Sequence, residues 1–143
     1  MAYVKVWIHA VWGTKNREPL LTKERREQII VHIRENAREK GIYIDRLNGH
    51  TDHIHCLLGL NADLTIAKTL QLIKGESAFW MNKQTIMPGK FEWANEYYAV
   101  SVSESMLDAV RAYIDNQAHH HTKRTYADEV EEFLLKYKFD GHG

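Results

Sequence analysis

Two histidines separated by one apolar residue, His53-Ile54-His55, open a short apolar run that continues to Leu60. A run of this length is typical of a β-strand, in which alternate side chains point to the same face. The two imidazoles would project side by side, with Cα atoms about 6.6 Å apart. Ile54 and Leu58 would then face a core. The segment therefore predicts a strand with one apolar face and one face that could hold a metal ion, since neutral imidazole is a common metal ligand.

The elements predicted around this run follow the order β-α-β-β-α-β. We predict strands over about 3–12, 42–47, 53–60 and 97–102, and helices over about 22–40 and 64–82. A third helix would end near His119 and a last helix near Tyr137. This order predicts an α+β fold, with a ferredoxin-like βαββαβ antiparallel sheet and two additional C-terminal helices. The first and third strands are central in that plan, so the histidine pair would lie on a middle strand.

Local signals support the ends of these helices. Thr22 can cap the first helix, and either Ser103 or Ser105 can cap the third. The residues that begin at Thr125 resemble a capping box for the last helix. The apolar stripe of the second helix would consist of Ile66, Leu70 and Ile73, extended by Phe79 and Trp80.

Composition indicates one domain over residues 1–143. No apolar stretch approaches the roughly 20 residues that span a membrane, and the N-terminus does not open a signal peptide. The single cysteine, Cys56, excludes an internal disulfide and is expected to be a small core residue. We therefore expect a cytoplasmic protein that has no membrane partner.

Charge is balanced overall but unevenly distributed. Nineteen basic and nineteen acidic residues give a formal net charge of zero. Residues 1–40 are net +4, whereas residues 101–143 are net −3. The basic N-terminal third could contact phosphate groups, although charged helix faces in solvent would give the same composition.

A second group of polar residues lies in the predicted third helix. Tyr113 and Gln117 are four residues apart, so they would be neighbours on one helix face. Taken alone, this pair also fits a tyrosine that packs in the core beside a glutamine bonded to backbone. An isolated His-x-His likewise fits two strand residues without a metal, although buried imidazoles need partners. The residues alone leave these alternatives open.

Together, the histidine pair, Tyr113 and Gln117 in this strand order resemble the single-tyrosine HUH transposases of the insertion-sequence 200/605 type, where HUH denotes His, a bulky apolar residue and His. Further stretches resemble the same family: Ile8 through Leu21, Lys74-Gly75-Glu76-Ser77 and Tyr98 through Ser103. Many members carry Pro-Asn before the first histidine, where this chain has Thr51-Asp52. Whether Asp52 adds an acidic group near the site is left open.

The resemblance implies a metal-dependent transposase that cleaves and rejoins single-stranded DNA at element ends and recognises subterminal hairpins. Tyr113 would be the nucleophile that forms a covalent 5′-phosphotyrosine. His53, His55 and Gln117 would hold the divalent ion, Mg²⁺ or Mn²⁺. The resemblance also implies a homodimer, and no small-molecule substrate is expected. In the dimer, the helix that carries Tyr113 could act with the histidines of its own sheet or with those of the partner's sheet.

Other residues are weaker candidates. Basic side chains that could line DNA, or could equally belong to solvated faces, are Lys15, Arg17, Lys68 and Lys74. Trp93, Tyr97 and Tyr98 could stack on unpaired bases, although core packing is expected for at least two of the three. Tyr126 is a rival nucleophile without a glutamine four residues later. His119, His120 and His121 point about 100° apart on a helix, so we expect a helix end or a phosphate contact rather than a metal site.

A non-catalytic relative that binds DNA or RNA hairpins is the main alternative function. The presence of Tyr113 together with the histidine pair argues against it, because a pure binding module needs no nucleophile. A replication or relaxase enzyme of the HUH class is disfavoured, because such proteins are usually larger and place these residues differently.

Overall fold

A computed structural model describes residues 3–117 and 125–137, with backbone alone for 132–137. The strands are β1 (Trp7–Gly13), β2 (Tyr43–Gly49), β3 (His53–Gly59) and β4 (Tyr98–Val102). The helices are α1 (Lys23–Glu39), α2 (Ile66–Lys83), α3 (Leu107–Asp115) and α4 (Tyr126–Tyr137). The strands form one antiparallel sheet in the order β2-β3-β1-β4. The predicted α+β fold is therefore confirmed, with β1 and β3 at the centre.

Side chains at the helix starts account for several of these boundaries. Thr22 and Thr65 each accept a hydrogen bond from the backbone N–H three residues later, at 3.4 and 3.0 Å. Thr125 and Asp128 form two reciprocal bonds of 3.2 Å, which is the predicted capping box. Gly41 follows α1 with a φ of 72°, a left-handed conformation that favours glycine.

One face of the sheet packs against α1 and α2 and forms the main core. Its inward side chains on β1 and β3 alternate along each strand: Ile8, Ala10, Trp12, Ile54, Cys56 and Leu58. Ile29 of α1 and Met81 of α2, both 0% exposed, are the most buried apolar side chains that the two helices add. Burial of a large aliphatic side chain stabilises the fold by about 1.5–3 kcal/mol, so this face supplies most of the hydrophobic stability. The prediction that Cys56 points away from the histidines is confirmed.

The opposite face of the sheet is covered by α3 and α4. Leu57 packs against Leu107 and Ile114 of α3. Val11 packs against the first turns of α4. Because β-strand side chains alternate, His53 and His55 lie on this second face, where α3 and α4 bury them almost completely.

Polar contacts fix α3 to the edge strand β2. The Arg111 guanidinium donates to both carboxylate oxygens of Asp45, at 2.8 and 2.9 Å. The Asn48 amide donates to the Ile114 carbonyl at 3.0 Å. These contacts set the position of α3 and hence of Tyr113, which α3 carries.

Two predictions about helix α3 are corrected. It was expected to continue to about His119, but it ends at Asp115, because Asn116 leaves the helical conformation with φ −98° and ψ 24°. Gln117 therefore lies beyond α3, on the far side of a break at Asn116, although it is itself helical. Ser103 precedes a short 3₁₀ turn and makes no side-chain cap bond. The prediction for His119–His121 lies outside the described residues.

Phe79 was also placed wrongly. Its side chain is 67% exposed, because it lies on the solvent side of α2, whereas Trp80 is partly buried.

Within the described residues, no helix combines the length and the apolar character needed to span a bilayer.

Candidate active site

The histidine pair on β3 lies at the centre of the site. His53 and His55 are 0% and 1% exposed, and their ring centroids are 5.1 Å apart. Nε2 of His53 lies 3.3 Å from Oε1 of Gln117. Nε2 of His55 lies 2.8 Å from Oε2 of Glu129, and Nε2 of His53 lies 3.8 Å from the same oxygen. Two imidazole nitrogens, an amide oxygen and a carboxylate thus converge on one point.

Gln117 reaches this point although it lies beyond the end of α3. Its Nε2 donates to the Tyr113 carbonyl at 3.3 Å and so bonds a carbonyl of the last helical turn. This bond directs Oε1, the acceptor end of the amide, toward His53. The predicted proximity of Tyr113 and Gln117 is confirmed.

Asp52 orients the first histidine. Nδ1 of His53 lies 2.8 Å from Oδ1 of Asp52, so the Nδ1–H donates to the carboxylate. That bond selects the tautomer whose Nε2 carries a lone pair directed toward Gln117 and Glu129. A carboxylate behind a histidine is the usual support of a metal-binding imidazole. The acidic group that the sequence left open is therefore next to the site.

His9 orients the second histidine. Its Nε2 lies 3.0 Å from Nδ1 of His55. Burial, reinforced by repulsion from His55 and opposed by Glu129, lowers the pKa of His9 to about 3, so His9 is neutral near pH 7. A neutral His9 can accept the Nδ1–H of His55. In that tautomer, Nε2 of His55 carries a lone pair that points toward the Glu129 carboxylate. Two electron-donating atoms that face each other in this way could both bind one cation.

Tyr113 lies beside the histidines of its own chain. Its ring centroid is 5.5 Å from that of His55 and 6.2 Å from that of His9, with both pairs nearly perpendicular. The ring is partly buried. One chain therefore brings together all four residues that the sequence singled out: His53, His55, Tyr113 and Gln117.

Tyr126 covers the other side of the histidine pair. Its ring stacks on His53 with centroids 4.4 Å apart and planes 9° apart. Burial raises the pKa of the Tyr126 phenol well above its ordinary value, which weakens it as a rival nucleophile because the phenolate is disfavoured. The Arg17 guanidinium carbon lies 5.7 Å from the centre of the same ring.

The predicted DNA-contacting residues are dispersed. Arg17 lies over the Tyr126 ring, which in turn stacks on His53, so Arg17 is near the histidine site. Lys68 is exposed on α2. Lys15 pairs with Glu92 at 2.7 Å and, like Lys74, lines a groove of about 660 Å³ between α2 and residues 90–97. Four basic residues thus lie on three parts of the surface.

Lys74 and Trp93 have structural partners within this groove. The Lys74 ammonium donates to the carbonyls of Ala94, Asn95 and Glu96 at 2.8, 3.3 and 3.3 Å, and burial lowers its pKa. The Trp93 indole N–H donates to Ser77 at 3.0 Å, and its side chain belongs to the main core. For Trp93, core packing is therefore the correct alternative.

Sequence reasoning missed two residues of the site. His9 could have been found, because alternation along the first strand places it opposite Ile8 and Ala10, on the face that carries the histidine pair. Glu129 gave no such signal, since its position depends on how α4 docks against the sheet.

Comparison with known proteins agrees with this architecture. Residues 2–117 match the family model described as IS200-like transposase. The ISDra2 transposase TnpA of Deinococcus radiodurans is 26% identical over 115 residues, which cover 76% of this chain and 81% of the relative.

Solved structures that are similar include two proteins described as transposases. A Deinococcus radiodurans R1 protein crystallised as a candidate transposase has a TM-score of 0.65 and 29% identity, and the match covers 82% of this chain and 95% of the other. A REP-associated tyrosine transposase bound to a REP hairpin has a TM-score of 0.61 at 19% identity, covering 85% and 72%, which supports the fold alone. Because the family model spans most of its length, the chain belongs to the IS200-like transposase family.

Proposed function

We propose that this protein is a metal-dependent transposase that cleaves and rejoins single-stranded DNA through a covalent bond to Tyr113. The observation that carries the proposal is the proximity of four side chains in one chain. The Tyr113 ring lies 5.5 Å from that of His55, and Oε1 of Gln117 lies 3.3 Å from Nε2 of His53. The same proximity supports action of Tyr113 on its own sheet, in cis. We further propose that the protein is a homodimer, as the family resemblance implies.

His53, His55 and Gln117 would hold a divalent ion, Mg²⁺ or Mn²⁺. The donors fit such an ion, because two buried imidazole nitrogens oriented by Asp52 and His9 face an amide oxygen. Mixed nitrogen and oxygen donors favour Mn²⁺ over Mg²⁺, which prefers oxygen. A bound ion would neutralise phosphate oxygens and so reduce their repulsion of an incoming phenolate.

Tyr113 would supply the nucleophile. Its phenolic oxygen would lose its proton and form a bond to phosphorus, the bond between phosphorus and the 3′ oxygen would break, and that oxygen would leave as a hydroxyl. The product is a 5′-phosphotyrosine. Because this linkage keeps the energy of the phosphodiester, attack by a 3′-hydroxyl can rejoin the strand without ATP.

Single-stranded DNA that carries a hairpin is the proposed partner. Lys15, Arg17 and Lys68 would contact its phosphates, with Arg17 nearest the histidine site, whereas the Lys74 ammonium already donates to three main-chain carbonyls. The similar REP-associated transposase, which was crystallised with a REP hairpin, supports this choice of partner. We expect the protein to act on such DNA in the cytoplasm.

The proposal can be tested by incubating the protein and Mn²⁺ with a labelled single strand of DNA. This strand should carry the hairpin that lies beside the gene in the genome. We expect wild type to form an adduct that survives denaturing electrophoresis. Tyr113→Phe should form none while it still binds the strand, and the exposed Tyr43→Phe should behave as wild type. An adduct with Tyr113→Phe would remove Tyr113 from the mechanism. Hairpin binding by wild type without any adduct would instead favour a non-catalytic hairpin-binding protein.

A further inference from the structure

Glu129 brings a carboxylate to the histidine pair from outside the part of the chain that matches the family model. That match ends at residue 117, whereas Glu129 lies on α4. Its side chain is 5% exposed, and Oε2 lies 2.8 Å from Nε2 of His55 and 3.8 Å from Nε2 of His53. The proposed ligand set of two histidines and a glutamine does not account for this carboxylate.

The three side chains have the geometry of a metal site. One ligand atom from each of His53, His55 and Glu129 lies within 4.8 Å of the other two. Asp52 and His9 bond the Nδ1 atoms, so both Nε2 lone pairs can point toward the carboxylate. A buried carboxylate is costly unless a positive charge or hydrogen bonds compensate it. A divalent cation among these atoms would supply that charge.

We propose that Glu129 is a ligand of the divalent ion together with His53 and His55, and that the bound ion fastens α4 to the sheet. This inference rests on the metal site of the proposed function and extends its ligand set. Because one ligand comes from α4 and two come from β3, the ion binds more tightly when α4 is docked. By linkage, the ion stabilises the docked position by the same factor.

Among residues 126–131, the part of α4 whose side chains the structure describes, apolar contacts with the sheet are few, so this effect should be measurable. Tyr126 and Val130 pack against Val11 in a small cluster, and the Tyr126 ring stacks on His53. This cluster is much smaller than the core on the other face of the sheet. A ligand bond from Glu129 would therefore be a major link between α4 and the site.

Calorimetric titration with MnCl₂ in the absence of DNA tests the ligand role. We expect Glu129→Gln to weaken Mn²⁺ binding at least tenfold, because a neutral amide of nearly the same shape replaces a charged ligand. Glu131→Gln is the matched control, since Glu131 is an exposed carboxylate two residues later on the same helix. It should bind Mn²⁺ within twofold of wild type.

Hydrogen exchange of residues 126–131 gives a second readout that does not depend on catalysis. Mn²⁺ should slow exchange of these amides in wild type and in Glu131→Gln, and leave it unchanged in Glu129→Gln. Equal Mn²⁺ affinity and equal protection in wild type and Glu129→Gln would overturn the inference.

His53→Ala distinguishes the two proposals. If it abolishes Mn²⁺ binding while Glu129→Gln binds as wild type does, the metal site stands and only the role of Glu129 fails. If wild type binds no Mn²⁺, the proposed metal site fails and this inference fails with it.

Discussion

Replacement of Ile114 with alanine should loosen α3 from the sheet. Ile114 is completely buried and forms a small cluster with Leu57 and Leu107. Truncation of a buried isoleucine to alanine costs about 2–5 kcal/mol, because it removes buried apolar surface and leaves a cavity. If the loss falls mainly on the docked state of α3, a cost of about 3 kcal/mol raises the population of the undocked helix roughly a hundredfold.

Hydrogen exchange over residues 107–117 measures this change directly. We expect these amides to exchange roughly a hundredfold faster in Ile114→Ala, while those of β1 and β3 change little. Val31→Ala is the control, since Val31 is 56% exposed on α1 and its truncation should cost less than about 0.5 kcal/mol. Because Tyr113 precedes Ile114 on α3, covalent attachment to DNA should fall as well.

Equal exchange over residues 107–117 in the Ile114 and Val31 variants would refute this reasoning. It would mean that the polar contacts to β2 hold the helix without help from the apolar cluster. Faster exchange across the whole sheet would also contradict it, since the loss would then be global rather than confined to α3.

Two further predictions concern contacts around the site. Gly13→Ala would place a Cβ 2.7 Å from Cε2 of Tyr126, so we expect the Tyr126 ring to move away from His53. NMR spectra of protein with isotope-labelled tyrosine measure this change, and unchanged ring signals of Tyr126 would contradict the prediction. Hydrogen bonds from Arg111 hold the pKa of the Asp45 carboxyl below its ordinary value. The stability that these bonds add is therefore complete above about pH 5, where the carboxyl is ionised in both the folded and the unfolded protein. It falls as the pH drops below about 4 and through the lowered pKa. Urea unfolding should therefore show an advantage of wild type over Asp45→Asn that shrinks toward pH 3, and an advantage constant from pH 3 to 6 would contradict the assignment.

The sheet and the histidine face could be predicted because they depend on local patterns. Alternation from His53 to Leu58 determines which side chains face the core, and the order of elements selects a plan in which β3 is central. The same alternation along β1 places His9 on the face that carries the histidine pair.

Features that depend on tertiary contacts could not be predicted. Phe79 is a different case, because nine residues at about 100° per residue place it opposite Leu70 on α2, so helical spacing itself indicates its exposure. The end of α3 depends on the backbone conformation of Asn116, which propensity does not specify. Glu129 belongs to α4, whose described apolar contacts with the sheet are made by Tyr126 and Val130, so its position depends on tertiary packing rather than on the local sequence pattern.

The three bonds that Lys74 donates to the main chain have a consequence for how the groove can evolve. Every peptide unit offers a carbonyl whatever its side chain, so the bonds to residues 94–96 do not depend on the amino acids found there. Substitutions at these positions can alter the shape and charge of the groove wall without changing the course of the backbone. A single lysine bonded to main-chain atoms would thus permit the surface beside it to diverge.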